Sequence, residues 1–242
     1  MIDTLITSGC SFSEAEEPIY INGNPGNLSA VYGLTWAKQL GNYLEPKRHI
    51  DLAFSGQGND LISRKVIHAV QTALSAEDTS STLIGIMWSG FDRIAVFDHN
   101  AHINSQDQSL CYFSVATRSW VNKTNDKFFV DQFDVEHKMI VTLEHILRTQ
   151  WFLELHNIKY FMTTFTGGVM PDLDQRAKPE IKYLYDLVDL DNWLPVVGEY
   201  EWCRDHSGSP FPYRGDFHPG QQQHKSFLDS IIIPFLQNKG WI

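Results

Sequence analysis

The fold of this chain is decided by the stretch Ile2-Asp3-Thr4-Leu5-Ile6-Thr7-Ser8-Gly9-Cys10-Ser11-Phe12-Ser13. Its apolar residues Ile2, Leu5 and Ile6 are typical of a buried β-strand. From Ser8 onward small and polar residues replace that pattern, so Ser11 falls in a turn just beyond the carboxyl end of the strand. Open α/β sheets bind their ligands at the carboxyl ends of their strands. The stretch therefore predicts a strand of such a sheet and a functional site around Ser11.

The remaining sequence alternates between strand and helix patterns. Strand patterns occupy residues 2–7, 49–54, 81–88 and 158–165. Helix patterns occupy residues 33–44, 60–76, 134–156 and 222–237, and Pro234 is expected to end or kink the last of these. Strands separated by helices predict an α/β fold in which helices cover both faces of a parallel sheet.

Length and two irregular segments set the expected domain organisation. A chain of 242 residues is long enough for a full core, and we expect one domain over residues 1–242. Residues 91–133 are polar and aromatic and suggest a hairpin or lid, while residues 167–214 are rich in Asp, Pro, Trp and Tyr. Because long excursions of this kind are often functional, we expect both insertions beside the active edge of the sheet.

The charge balance argues against several kinds of partner. The chain has 19 Lys and Arg against 29 Asp and Glu, a formal net charge of -10. Such a surface repels nucleic acid and anionic membranes, so we expect neither as a partner. We expect no transmembrane segment, because no apolar run approaches the ~20 residues needed to span a bilayer. We also expect no signal peptide. Three widely spaced cysteines, Cys10, Cys111 and Cys203, fit a reducing compartment, and we therefore expect a cytoplasmic protein.

A candidate base for Ser11 lies far along the chain, in Gly215-Asp216-Phe217-His218-Pro219-Gly220. A serine hydroxyl is a poor nucleophile until a base takes its proton, and a histidine, with an ordinary pKa of about 6.5, can do so at neutral pH. If the pair is functional, Ser11 Oγ should lie within about 4 Å of a His218 ring nitrogen. Asp216 is the expected orienting acid, because residues two apart in extended backbone point the same way. Asp205 is a substitute acid.

Three short motifs, in order along the chain, resemble those of the SGNH (GDSL-like) hydrolases. Gly9-Cys10-Ser11-Phe12-Ser13 resembles the first block, Gly-Asp-Ser-x-Ser, with Cys10 in place of the acid. The run Asp51-Leu52-Ala53-Phe54-Ser55-Gly56-Gln57-Gly58-Asn59-Asp60 is similar to the second block, with Gly56 as the oxyanion-hole glycine. Asp216-Phe217-His218-Pro219 resembles the last block, which carries the acid and the base. The resemblance implies a flavodoxin-like three-layer α/β/α fold and hydrolysis of an ester, thioester or O-acetyl group through an acyl-serine.

Two features depart from that family's pattern. The family's third block, Gly-x-Asn-Asp, supplies an asparagine that donates to the oxyanion, whereas the corresponding strand end here reads Ile86-Met87-Trp88-Ser89-Gly90-Phe91-Asp92-Arg93. Ser89, Asn59 or a backbone amide is the expected substitute donor. In addition, the family's acid and base lie three residues apart, whereas Asp216 and His218 lie two apart.

Other interpretations of single residues stay open. Ser11 can instead cap the following segment, and Cys10 is expected to pack as a small buried residue rather than act as the nucleophile. We expect no metal site, because Asp216, His218 and His224 lack a regular ligand spacing. The stretch Asp98-His99-Asn100-Ala101-His102 is expected to be a solvated turn. Core and lid packing is favoured for Trp88 and Trp151. Five tryptophans are candidates for stacking on sugar rings: Trp88, Trp120, Trp151, Trp193 and Trp202.

The sequence thus predicts a serine hydrolase of the esterase type, without a cofactor, that cleaves an acyl ester of a small molecule or an O-acetylated carbohydrate. Two alternatives remain. One is a binding or structural protein that keeps the scaffold without catalysis, which the missing asparagine favours. The other is an acyltransferase, since the same serine chemistry permits transfer of the acyl group. The sequence does not determine the substrate or the oligomeric state.

Overall fold

The computed structural model describes residues 2–15, 20–21, 23–74, 79–91, 93–97, 112–116, 135–212 and 217–242. Asp216, Cys111, Trp120 and residues 98–102, all singled out from the sequence, lie outside these ranges. The described strands are β1 (Thr4–Ser8), β2 (Tyr20–Ile21), β3 (Asn24–Pro25), β4 (Arg48–Asp51), β5 (Thr82–Trp88), β6 (Arg93–Phe97), β7 (Tyr112–Ala116) and β8 (Lys159–Thr164). The described α-helices are α1 (Leu28–Tyr32), α2 (Trp36–Leu44), α3 (Asn59–Leu74), α4 (Val135–Leu155), α5 (Leu173–Arg176), α6 (Pro179–Tyr185), α7 (Glu199–His206), α8 (Gln221–Phe227) and α9 (Ile233–Asn238).

The central sheet is parallel and has the strand order β4-β1-β5-β8. From β1 the chain crosses to β4 on one side and then returns to β5 on the other side. The strand order therefore reverses between β1 and β5, and ligands of doubly wound sheets bind in the crevice at such a point, beyond the carboxyl ends of the strands. Ser11 follows β1 directly and lies at this edge.

Helices cover both faces of the sheet because side chains alternate along its strands between two apolar cores. On one face, Ile6 of β1 and Ile84 of β5 pack with α3 and α4. On the other face, Leu5 and Leu83 pack with α2 and the C-terminal helices α8 and α9. The strands β1 and β5 are buried along their whole length. These layers confirm the predicted three-layer α/β/α architecture.

The last predicted helix does not end at Pro234. A π-helical segment, Leu228–Ile232, joins α8 to α9, and the Ile233 amide donates to the Leu228 carbonyl. Pro234 consequently falls in the first turn of α9, where its missing amide donor is not needed. The prediction that Trp151 packs in the core is also wrong, because Trp151 lies outside the buried stripe of α4 and is 51% exposed, whereas Trp88 is fully buried as expected.

The two predicted insertions lie at residues 91–133 and 167–214. In the first, β6 and β7 pair antiparallel, so its described part forms a hairpin. The second carries α5, α6 and α7 and lies against β8, where the Leu194 amide donates to the Met162 carbonyl at 2.9 Å. No helix in the described ranges is both long and apolar enough to cross a membrane.

Candidate active site

A tight turn after β1 presents the Ser11 side chain. The Ser13 amide donates to the Cys10 carbonyl at 2.9 Å and closes the turn. The Ser13 hydroxyl accepts a hydrogen bond of 3.1 Å from the indole of the fully buried Trp36. Gly9 leaves room for this contact, since a Cβ there would lie 2.4 Å from Ser13 Oγ. Ser13 and the fully buried Cys10 therefore anchor the turn, while Ser11 remains partly exposed.

The Ser11 hydroxyl is hydrogen-bonded to His218. Ser11 Oγ and His218 Nε2 are 2.8 Å apart, although the two residues are separated by 207 positions in the sequence. This distance lies within the limit expected from the sequence. In the tautomer that has its proton on Nδ1, Nε2 accepts the hydrogen bond from the serine, which is the arrangement a general base requires.

Two aromatic rings flank the imidazole of His218. The Tyr32 ring stacks on it with a centroid distance of 4.9 Å and an interplanar angle of 27°. The Phe12 ring lies 5.0 Å away at 37°, and Phe12 itself is buried and packs edge-on against Phe165. The imidazole is therefore held by ring contacts as well as by its hydrogen bond to Ser11.

A second turn, after β4, brings Gly56 to the same edge of the sheet. The Gln57 amide donates to the Phe54 carbonyl at 3.1 Å, and Gly56 has a φ of +81°. A positive φ at the third position of a type II turn favours glycine. The side chain of Gln57 donates to the Gly9 carbonyl at 3.1 Å, which links this turn to the segment that leads to Ser11. Within the described residues, the backbone amides of Ser11 and Gly56 have no hydrogen-bond partner.

The carboxylate of Asp51 connects the segments that carry the two turns. It accepts hydrogen bonds from the Ala15 amide at 2.6 Å, the Ala53 amide at 3.1 Å and the Thr7 hydroxyl at 3.2 Å. Burial raises the pKa of Asp51 to about 6, although these hydrogen bonds lower it. A further link between the two segments is the hydrogen bond of 2.8 Å from the Ser55 hydroxyl to Glu14.

The two side chains predicted as substitute oxyanion donors bind elsewhere. Asn59 Nδ2 donates to the Ser89 carbonyl at 2.8 Å, and the Ser89 amide donates to Asn59 Oδ1 at 2.7 Å. The Ser89 hydroxyl accepts a hydrogen bond of 2.7 Å from Arg93. Both residues are buried, and in the described part of the chain no hydrogen bond joins either side chain to Ser11 or His218. Asn59 thus fixes the start of α3 to the end of β5.

Among the remaining candidates, the predicted acid Asp216 lies outside the described residues. The substitute acid Asp205 is exposed and forms two hydrogen bonds to Arg204, which hold the pKa of Asp205 below its usual value. His224 is buried and pairs with the buried carboxylate of Glu199 at 2.6 Å. Burial raises the pKa of Glu199. In the described ranges, no group of three or more His, Cys, Asp or Glu side chains is arranged to hold a metal ion.

Two residues near the site, Tyr32 and Asp51, were not identified from the sequence. Tyr32 belongs to the short helix α1, which lacks a periodic apolar pattern, and its contact with His218 joins positions 186 residues apart. Asp51 lies inside the strand predicted at residues 49–54 and is the last residue of β4; its place in the second motif was the one available hint. Its hydrogen bonds to Thr7 and Ala15 depend on how the strands pair, which local sequence does not encode.

No protein-family model matches the chain, and no curated protein matches it. Among solved structures, one similar chain is an acetyl xylan esterase from the rumen bacterium Butyrivibrio proteoclasticus. The sequences are 13% identical, the match covers 99% of this chain and 64% of that chain, and the TM-score is 0.45. The chain thus spans less than two thirds of the length of that protein. A likeness this distant assigns neither a family nor an activity to this chain.

Proposed function

We propose that this protein is a serine hydrolase that cleaves an acyl ester through an acyl-serine intermediate. Ser11 is the nucleophile and His218 is the general base. The observation that carries the proposal is the hydrogen bond of 2.8 Å between Ser11 Oγ and His218 Nε2. It joins two distant parts of the chain at the sheet edge where doubly wound folds bind ligands.

The reaction follows from this hydrogen bond. Ser11 Oγ attacks the ester carbonyl carbon and its proton passes to His218 Nε2, while the carbonyl electron pair moves onto the oxygen. The tetrahedral intermediate collapses, the bond to the leaving alcohol breaks, and His218 returns the proton to that alcohol. A water molecule then attacks the acyl-serine with His218 again as the base, which releases the carboxylic acid and restores Ser11.

We propose that the backbone amides of Ser11 and Gly56 donate hydrogen bonds to the oxyanion of the tetrahedral intermediate. Both amides lack a partner within the described residues, and a donor already in place costs no reorganisation during the reaction. The side chains expected from the sequence are engaged elsewhere: that of Asn59 bonds to the backbone amide and carbonyl of Ser89, and the Ser89 hydroxyl accepts a hydrogen bond from Arg93. The proposed orienting acid is Asp216, which would accept a hydrogen bond from the second ring nitrogen of His218 and fix the reactive tautomer.

The proposed substrate is the ester of a carbohydrate, such as an O-acetyl group. In support, the second insertion supplies most of the lining of a cavity of about 880 Å³, including the aromatic side chains of Tyr185, Trp193 and Trp202 and the carboxylates of Asp172 and Asp205. Ser11 and His218 do not line this cavity, so it would hold a part of the carbohydrate other than the ester group. Cavities of this volume are in the range that holds small ligands. Aromatic faces suit the C–H faces of sugar rings, and carboxylates accept hydrogen bonds from sugar hydroxyls.

A fluorophosphonate probe, which reacts with activated serines, tests the proposal. We expect labelling of the unmodified protein and of the surface control Ser230→Ala, no labelling of Ser11→Ala, and a strong loss of labelling in His218→Ala. Undiminished labelling of Ser11→Ala would contradict the proposal. Lack of labelling in the unmodified protein, together with no turnover of acetylated saccharides or simple acyl esters, would favour the binding-protein alternative.

A further inference from the structure

We propose that Tyr32 is a positioning residue whose ring stabilises the imidazolium form of His218 while Ser11 attacks the substrate. This inference rests on the proposed function, because it concerns the same base and the same proton transfer. His218 is neutral before the attack and positively charged once it holds the serine proton. A contact that favours the charged ring is therefore stronger in the transition state than in the ground state, which is the condition for a contribution to catalysis.

The geometry of the ring contact fits this role. A cation within about 6 Å of the centroid of a tyrosine ring is attracted by the negative face of the ring. The Tyr32 and His218 centroids are 4.9 Å apart and the rings are inclined by 27°. The described groups that face the imidazole include the Ser11 hydroxyl and the Phe12 ring, while Asp216 lies outside the described residues.

The segment that carries Tyr32 contacts α8, the helix that follows His218. The helix α1 ends at Tyr32, and Gly33 takes a φ of +84°, the left-handed conformation common after a helix. A Cβ at Gly33 would lie 2.6 Å from Gln221, the first residue of α8. The side chain of Gln39 also donates to the carbonyls of Leu34 and Gln221, at 2.7 and 3.0 Å. These contacts fix the Tyr32 segment relative to the start of α8, and so keep the ring beside His218.

Of the two flanking rings, Tyr32 is the one that can be changed separately from the core. Phe12 is 3% exposed and packs on Phe165, so its removal would leave a cavity. Tyr32 is half-buried, so its truncation opens less of the core. Replacement of Tyr32 by leucine removes the aromatic face but keeps an apolar side chain, and replacement by phenylalanine keeps the face and removes only the hydroxyl.

The test compares Tyr32→Leu, Tyr32→Phe and the control Tyr43→Leu, which changes an exposed tyrosine on α2. For Tyr32→Leu we expect kcat on a short acyl ester to fall by about three- to thirty-fold. We also expect the acid limb of the kcat/KM–pH profile to move down by about half to one and a half pH units, because loss of the ring disfavours the protonated base. Tyr32→Phe and Tyr43→Leu should stay within about twofold of the unmodified protein.

A second measurement separates this inference from the proposed function. The pH midpoint of the His218 ring resonances, followed by NMR, should move downward in Tyr32→Leu and not in Tyr32→Phe, whether or not an ester is turned over. A fall in kcat without a downward shift of the acid limb of the kcat/KM–pH profile and of the NMR midpoint would overturn the inference. Equal losses of kcat in Tyr32→Leu and Tyr32→Phe would overturn it as well. If Tyr32→Leu does not fold, Tyr32→Met takes its place under the same criteria. Absence of Ser11-dependent probe labelling would count against the proposed function alone.

Discussion

Asp51 is the residue through which the two turns of the site are coupled. Its carboxylate accepts hydrogen bonds from Thr7 at the end of β1, from Ala15 beyond the Ser11 turn and from Ala53 before the Gly56 turn. The pKa of Asp51 is raised by burial to about 6, from an ordinary value of 3.8. The folded protein therefore binds this proton more tightly than the unfolded chain does. The resulting contribution to stability is complete below about pH 4 and is lost as the pH rises through about 6.

This linkage predicts a pH dependence that Asp51→Asn removes. Between pH 4 and pH 7, the free energy of unfolding of the unmodified protein should fall by about 2 kcal/mol relative to that of Asp51→Asn. Urea unfolding at several pH values measures both proteins. The comparison isolates Asp51, because all other titrating groups are shared. An exposed control, Asp174→Asn, should show the same pH dependence of the free energy of unfolding as the unmodified protein. A difference in unfolding free energy between Asp51→Asn and the unmodified protein that stays constant with pH would show that Asp51 is not the titrating group.

The start of α3 is fastened to the end of β5 by the reciprocal hydrogen bonds of Asn59 and Ser89. Both residues are buried, so loss of the Asn59 side chain leaves the amide and carbonyl of Ser89 without these partners. A buried polar group without a partner costs about 1–3 kcal/mol. The position of α3 relative to β5, and with it the Gly56 turn that precedes α3, depends on this contact.

We therefore predict that Asn59→Ala affects stability more than catalysis. The free energy of unfolding should fall by about 2–4 kcal/mol, while kcat of the folded variant should fall by less than about tenfold. Loss of a direct oxyanion donor would instead lower kcat by about 10²–10³-fold. Chemical unfolding and kinetics below the unfolding transition give the two quantities, with the exposed Asn42→Ala as the matched control. A loss of kcat of that larger size without a loss of stability would return Asn59 to the oxyanion hole.

The secondary-structure elements were predictable where burial imposes a simple pattern. A parallel strand covered on both faces is a run of apolar residues, and β1 and β5 fit that description, so both were found within two residues of their ends. Trp151 was misplaced because α4 carries apolar residues outside its buried stripe, and periodicity alone did not separate the two sets. The prediction that Pro234 ends or kinks the last helix did not allow for the π-helical segment, which places the proline in the first turn of α9.

The pairing of Ser11 with His218 was expected from residue chemistry and from motif order, whereas the rest of the site was not. Motifs specify which residue types are present, but contacts such as Tyr32 with His218 and Asp51 with Ala15 arise only when the strands have paired. A third oxyanion donor was expected among the side chains near the end of β5, but the Asn59 side chain bonds to the Ser89 backbone and the Ser89 hydroxyl bonds to Arg93. These contacts depend on packing between distant segments of the chain, which local sequence patterns do not encode.

The molecule as a whole brings two distant parts of the chain to one edge of its sheet. The strand order β4-β1-β5-β8 places the Ser11 turn at the switch point, and the loop before α8 places His218 against it. Helices on both faces keep these segments fixed relative to each other. The central claim is that Ser11 and His218 act as one unit, nucleophile and base, and not as two independent residues.

A double-mutant comparison of kcat/KM on a short acyl ester tests that claim most directly. Ser11→Ala and His218→Ala should each lower kcat/KM by about 10³-fold or more. The double variant should be no slower than the poorer single variant, because either change alone already disables the same proton transfer. Independent losses that multiply in the double variant, or turnover that survives Ser11→Ala, would contradict the account.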